Sequence, residues 1–541
     1  MRYRLRFVCA WQLTSFKLWP CSFWAVGSFM SKIYFKHRKM TMTDMKKNLL
    51  QWLPAAILLL ATGCGIDDGG YTYNGGWTTM VGESMEGEMP GDKFEDFSDN
   101  PFVSTVQTPV STFSVDADGA SYAIVRRYLN MGLVPQAGSV RIEELLNYFT
   151  FDYAAPVDGQ TVAINGEVGA CPWTPTHRLL RLGMKGRELN ADEMPRANFV
   201  FLVDVSGSMQ GADRLDLLKS GLKQLLFQLN PDDRISLITY SGQVSKLLES
   251  TPVSEAAVIV KAIDKLSASG STAGGEALKM AYEEALANYD AKANNRVIMG
   301  TDGDFNVGVS NTDELEKLVE GYARRGIYLT CLGFGVGNLN DGMMERISNT
   351  GNGNYYYIDS ENEMMKVFVH DRAHFVSVAN DAKCQVTFDS TMVSSYRLIG
   401  YENRVMGNQD FVDDKKDAGE IGAGQTVTAL YEIVPTEKYI REEMAGRHEG
   451  FATFDFRYKK SLDDSSLPLS LLLTTGGAGQ PASANLTFAA GVAAYGMVLR
   501  QSVYRGDATC QMAKELVGGS LSFDPHGYRA ELLRLIGKIR D

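Results

Sequence analysis

Asp204, Ser206 and Ser208 stand on alternate residues at the end of an unbroken apolar run, Phe199-Val200-Phe201-Leu202-Val203. One carboxylate and two hydroxyls at that spacing can converge on one point of an extended chain. Such hard oxygen donors suit Mg²⁺ or Mn²⁺ and not Zn²⁺ or copper. The run lacks the polar alternation of a half-solvated strand, so it reads as a buried parallel one. In an open α/β sheet, the carboxyl end of such a strand is where ligands bind. Taken alone, Asp-x-Ser-x-Ser also fits a turn or a helix cap.

Two later stretches make the pattern specific. Gly270-Ser271-Thr272-Ala273-Gly274-Gly275 is a glycine-rich loop opening a helix, and Arg296-Val297-Ile298-Met299-Gly300-Thr301-Asp302 is a second strand ending in a carboxylate. With Asp-x-Ser-x-Ser, these resemble the von Willebrand factor type A domain and its metal-ion-dependent adhesion site. The resemblance implies that Asp204, Ser206, Ser208, Thr272 and Asp302 hold Mg²⁺ (or Mn²⁺) directly or through water. It also implies an open coordination position for an acidic group of a partner. Asp304 and Asn306 follow closely and read as second ligands or as a solvated loop.

Around these residues, strands and amphipathic helices alternate from about 197 to 376. Helices are expected at 214–229, 253–266, 276–288 and 313–325, with a last one from Glu361. Strands are expected at 234–240, 297–301 and 327–333, with 244–248 as an antiparallel edge. Strand and helix in turn imply a doubly wound, mostly parallel sheet of α/β class, Rossmann-like in architecture. Beyond Val376 the period changes to two, as in Cys384-Gln385-Val386-Thr387-Phe388 and Thr426-Val427-Thr428-Ala429-Leu430-Tyr431. That indicates an antiparallel β-sandwich over 377–475, followed by a helical tail over 476–541. Strand-like alternation also appears before the α/β domain, at Thr161-Val162-Ala163-Ile164 and Arg178-Leu179-Leu180-Arg181-Leu182. Consecutive elements usually pack nearby, so the α/β domain is expected to be inserted in, or flanked by, one sandwich, with contacts between 160–190 and 380–460.

The segment 102–196 resembles the extension that precedes the metal-site domain in a bacterial family of type A proteins. Ser114-Val115-Asp116, Arg141-Ile142-Glu143-Glu144 and Cys171-Pro172-Trp173 carry that likeness. Tyr401-Glu402-Asn403-Arg404 and the stretch from Asp417 to Gly424 carry it after the domain. These motifs by themselves suggest no chemistry.

Lys46-Lys47, the uncharged run Asn48 to Leu60, and Ala61-Thr62-Gly63-Cys64 have the parts of a secretory signal ending in cysteine. The stretch resembles a bacterial lipoprotein signal with Cys64 as the lipidated residue. Its apolar run is short of the roughly 20 residues that cross a bilayer. Residues 1–63 read as leader and signal, with the true start at Met40 to Met45. Residues 64–101, rich in Gly, Asp and Glu without periodicity, read as a disordered tether. A bacterial outer-membrane lipoprotein follows, facing the periplasm or the surface.

Residues 1–47 hold ten of the 53 basic side chains and one of the 65 acidic ones, and 48–63 hold none. From Cys64 onward 43 basic therefore face 64 acidic, a formal charge of −21. Such a surface disfavours nucleic acid and anionic lipid. His370 and His374 have a zinc-compatible i, i+4 spacing but no evident third ligand. Neither a Gly-x-Ser-x-Gly elbow nor a second phosphatase-type aspartate is present, so no catalytic set assembles. Cys171, Cys331, Cys384 and Cys510 show no framework spacing and read as buried thiols. The expected function is metal-dependent binding of an envelope or extracellular protein, or of carbohydrate. The alternatives are a metal-dependent hydrolase and an envelope scaffold whose metal stiffens the fold.

Overall fold

The computed structural model describes residues 91–157, 159–270, 275–303, 312–476 and 481–539. Cys64 and the leader, Thr272, Asp304 and Asn306 lie outside the described residues. Two short strands, β1 (Val103–Ser104) and β2 (Val110–Ser114), lead into α1 (Ala120–Asn130) and α2 (Ile142–Asn147), then the hairpin β3 (Val162–Ala170) and β4 (Arg178–Gly186). An α/β stretch follows: β5 (Ala197–Asp204), α3 (Leu215–Leu226), β6 (Arg234–Ser241), β7 (Gln243–Pro252), α4 (Ala256–Asp264), α5 (Gly275–Ala287) and β8 (Asn294–Thr301). It continues through α6 (Thr312–Ala323), β9 (Ile327–Phe334), α7 (Asp341–Thr350), β10 (Tyr355–Ile358) and α8 (Glu361–Met365). The remainder is β11 (Ser377–Phe388), β12 (Val393–Ile399), β13 (Gly419–Gly422), β14 (Thr426–Pro435), α9 (Glu437–Met444), β15 (Gly450–Lys459) and β16 (Leu467–Thr474). Helices α10 (Ala484–Leu499), α11 (Cys510–Gly518) and α12 (Tyr528–Ile536) complete it.

The central sheet has the order β10-β9-β8-β5-β6-β7, parallel except for the antiparallel edge β7. The apolar run of β5 is explained by its place in the middle. Phe199, Phe201 and Val203 pack with Leu218, Leu222 and Ile259, while Val200 and Leu202 pack with Ala277, Ala281 and Val319. A strand covered by helices on both faces has no position for a polar side chain until it ends, and this one ends at Asp204.

Strands from both sides of the α/β domain complete a sandwich around it. One sheet has the order β1-β12-β14-β4-β3, and the other β13-β11-β15-β16 with β2 beside β11. The pairing of β4 with β14 runs from Arg178 opposite Ile433 to Lys185 opposite Thr426, and β2 pairs with β11. The α/β domain is therefore inserted into one sandwich. Leu180, Leu182 and Met184 of β4 point inward against Phe454 and Phe456. Leu179 points the other way, into a second core with Phe488 and Ala493 of α10. Helix α10 is apolar on every side because it is enclosed on every side.

Three expectations are corrected. The tether does not extend to residue 101: from Gly91 the chain lies on the body, with Lys93 N donating to Leu339 O at 2.8 Å and Asn100 Nδ2 to Gly400 O at 2.8 Å. Its acidic, glycine-rich composition concealed backbone partners supplied from far along the sequence. His370 and His374 do not share one helix face, because the helix ends in a π turn at Lys366–His370 and resumes as a 3₁₀ turn at Arg372–Phe375. His370 instead stacks on His526 at 4.1 Å. Helix α7 and strand β10 went unexpected, the first glycine-bounded and the second only four residues long. Cys171, Cys331 and Cys384 are buried and unbridged, and Cys510 is buried.

Candidate metal centre

Burial of β5 forces its first polar side chain, Asp204, to find partners at the strand's end. Its carboxylate is fully buried; Oδ1 accepts the Ser206 backbone N–H at 2.8 Å and Oδ2 accepts the Thr301 hydroxyl at 3.1 Å. Ser206 is extended at φ −61° and ψ 165°, and the chain then tightens into a 3₁₀ turn at Gly207–Met209. That bend brings the Ser206 and Ser208 hydroxyls within 2.9 Å of each other. The loop leading towards Thr272 is tied to the same turn, since Gly207 N donates to Gly270 O at 3.0 Å. Gly270 has φ +83°, a conformation that favours glycine.

Asp302 follows the end of β8, the strand beside β5, and is 1% exposed. Its Oδ2 lies 3.5 Å from Asn338 Nδ2, at the long limit of a hydrogen bond, and its Oδ1 is buried without a protein partner. The structure thus gathers Asp204, Ser206, Ser208 and Asp302 at the carboxyl end of the sheet. Burial, with the nearby Asp302 carboxylate adding to it, pushes the Asp204 carboxyl up to about 6. Among the described residues neither carboxylate forms an ion pair. The nearby guanidinium of Arg214 is spent on carbonyls, donating to Ser208 O at 2.6 Å and Val336 O at 2.7 Å.

Two further residues shape the site and were not singled out from the sequence. Thr301 both donates to Asp204 and accepts the Gly303 N–H at 3.2 Å, which orients the aspartate and the turn after β8 together. Tyr240 stands opposite Asp204 in register on β6, and burial together with the Asp204 carboxylate pushes its hydroxyl up, so that it stays a donor. Aligning strand ends would have found Tyr240, since both residues close parallel neighbours. An all-oxygen donor set, two buried carboxylates and one orphaned carboxylate oxygen fit a hard divalent cation.

A second acidic cluster differs in kind. Asp116, Glu144 and Glu345 bring carboxylate oxygens within 4.8 Å of one another, all buried. Here the chain supplies the cations. Arg141 pairs with Glu144, Asp341 and Glu345, and Arg404 pairs with Asp116 at 3.0 Å and Glu345 at 3.6 Å. The motifs around Asp116, Arg141 and Arg404, silent as sequence, thus meet where the sandwich joins the α/β domain.

Residues 198–370 match the von Willebrand factor type A domain family, and residues 88–181 match a family described as von Willebrand factor. Residues 373–541 match the family of the C-terminal part of uncharacterized protein YfbK. Uncharacterized protein YfbK of Escherichia coli (strain K12) is 37% identical over 467 residues, which make up 82% of this chain and 80% of that protein. Inter-alpha-trypsin inhibitor heavy chain H3 of Homo sapiens is 32% identical over 179 residues, 31% of this chain and 20% of that protein. A solved von Willebrand factor type A protein from Catenulispora acidiphila is similar over 70% of this chain and 90% of its own, at 14% identity and a TM-score of 0.41.

Proposed function

The chain belongs to the family of uncharacterized protein YfbK and carries a von Willebrand factor type A domain, and we propose that it is a Mg²⁺-dependent binding protein of the bacterial envelope. The observation that supports this reading is the pair of buried carboxylates, Asp204 and Asp302, gathered with two serine hydroxyls and left without a basic partner among the described residues. Asp204, Ser206, Ser208 and Asp302 would hold the ion, with Thr272 joining from its loop. A bound Mg²⁺ supplies a hard Lewis-acidic position that takes oxygen ligands. The residues of the chain do the rest: Thr301 and the Ser206 N–H fix the Asp204 carboxylate, and Asn338 leaves Asp302 Oδ1 uncommitted. A site built this way suits a partner protein that presents an Asp or Glu.

Retention of a partner from envelope extract tests the reading, with the full chain and its Asp204→Ala variant compared in Mg²⁺ and in EDTA. A protein held by the parent chain in Mg²⁺, and lost in EDTA and in Asp204→Ala alike, is the expected result. The same retention in all four arms would contradict it. Anchoring is the second part of the proposal: Cys64 carries the lipid and places the protein at the outer membrane. Cys64→Ser should abolish fatty-acid labelling, and labelling that persists would remove the anchor.

A further inference from the structure

At the junction of the type A domain and the sandwich lies a cavity of about 200 Å³. Asp116 and Asp118 reach it from the segment after β2, Asn354 from the turn before β10, and Arg404, Asp417 and Glu420 from the second half of the sandwich. Asp118 is 2% exposed. Its Oδ1 accepts the Tyr355 N–H at 3.1 Å and Asn354 Nδ2 at 3.3 Å, while its Oδ2 is buried with no partner. Glu420, half-buried at the start of β13, has an Oε1 in the same condition, and Asp417 is exposed beside it. Arg404 makes no hydrogen bond to these two oxygens; its Nε donates to Asp116 Oδ2 at 3.0 Å and its Nη2 lies 3.6 Å from Glu345.

We propose that this cavity is a binding site for an alkylammonium or guanidinium group. Two residues that line a polar cavity each carry an orphaned carboxylate oxygen, which calls for a donor, and a cation satisfies both hydrogen bonding and charge. A bare divalent ion fits less well. Among the described residues the three carboxylates close enough to share one are Asp116, Glu144 and Glu345, and Arg141 and Arg404 already neutralise them. Asp118 and Glu420 join no such compact group, so their oxygens suit an extended organic cation that offers several N–H donors. Burial and the carboxylates of Asp116 and Glu144 push the Asp118 carboxyl up, against the opposing pull of Arg404. A ligand cation relieves that repulsion. The cavity is walled by all three parts of the folded chain, so its occupant also joins the type A domain to both halves of the sandwich.

Isothermal titration of the full chain with amines in EDTA keeps the metal centre silent and tests this site alone, and a separate Ca²⁺ titration is run in EDTA-free buffer. Agmatine and putrescine represent free cations, and blocked Gly-Arg-Gly and Gly-Lys-Gly peptides represent a partner's side chain. The expected result is saturable one-site binding by at least one of the four, with Kd about 1 mM or tighter. Asp118→Asn and Glu420→Gln should each weaken it about tenfold or more, the loss expected for one charged hydrogen bond, and Asp204→Ala should leave it unchanged. Glu420 is only half-buried, so Glu420→Gln carries the test should Asp118→Asn not fold. Preference for the diamines or for the peptides assigns the source of the group. No saturable binding by any of the four, equal binding by the parent and both variants, or Ca²⁺ binding lost in Asp118→Asn in place of amine binding, would overturn the proposal.

Discussion

At the junction, Asp116, Glu144 and Glu345 are drawn together around two guanidiniums, Arg141 and Arg404, whereas at the rim of the α/β sheet Asp204 and Asp302 stand together with no ion-paired guanidinium among the described residues. Both sets are buried, and both gather oxygens from elements distant in sequence. The difference lies in where the counter-charge comes from. A buried carboxylate left unpaired costs several kcal/mol, so a chain that closes one cluster with arginine and leaves another open treats the two differently. The closed cluster holds the domains together. The open one suits a cation from solution.

The largest expected effect comes from breaking the closed cluster. Arg141→Met keeps the unbranched apolar stem but leaves Glu144, Asp341 and Glu345 without their shared cation. Urea unfolding should show a loss of about 3–5 kcal/mol, and a loss below about 1 kcal/mol would mean that the junction does not depend on the pair. A smaller effect should appear with pH. Burial and the Glu402 carboxylate push the Glu143 carboxyl from 4.5 up to about 8. The folded state then holds a proton that the unfolded state has released, so the contribution of Glu143 to stability is fully present below about pH 4.5 and is lost as pH rises towards 8. Within that window the slope approaches about 1.4 kcal/mol per pH unit. Glu144 is pushed up to about 8 in the same way, so Glu143→Gln should reduce the slope without abolishing it in urea midpoints measured from pH 5 to 8, and an unchanged slope would assign the proton elsewhere. The smallest effect belongs to the rim. Thr301→Val deletes one hydrogen bond to Asp204 and one from Gly303, which should cost about 1 kcal/mol of stability and weaken Mg²⁺ binding several-fold, both measurable by thermal shift. An unaltered Mg²⁺ affinity would leave Thr301 no part in orienting the site.

The two clusters were also unequally legible. Each piece of the open site is announced locally, by an apolar strand that stops at a carboxylate or by a glycine-rich loop, so Asp204, Ser206, Ser208 and Asp302 could be named from the resemblance to the type A domain that these motifs carry. The closed cluster joins Asp116, Arg141, Glu345 and Arg404 across almost 300 residues, and no periodicity records which distant charge answers which. The insertion of the α/β domain was legible because alternating strands lay on both sides of it. The register of β4 against β14 was not, since either strand offers apolar residues to both of its faces. Thr301 escaped notice as a β-branched residue in a strand of apolar ones, where it passes for a packing residue.

Calorimetric titration of Mg²⁺ into the full chain and its Asp204→Asn variant tests the open cluster most directly. Asparagine keeps the shape and, with its oxygen facing Ser206, the hydrogen bond from that N–H, and it removes the charge together with the acceptor that the Thr301 hydroxyl uses. The parent should bind one Mg²⁺ and gain about 2.7 kcal/mol of unfolding stability when the ion is present at a hundred times its Kd. Asp204→Asn should fold, bind no ion in the same range and gain nothing. Equal Mg²⁺ binding by the two proteins, or none by the parent, would contradict the assignment of this rim as a metal centre.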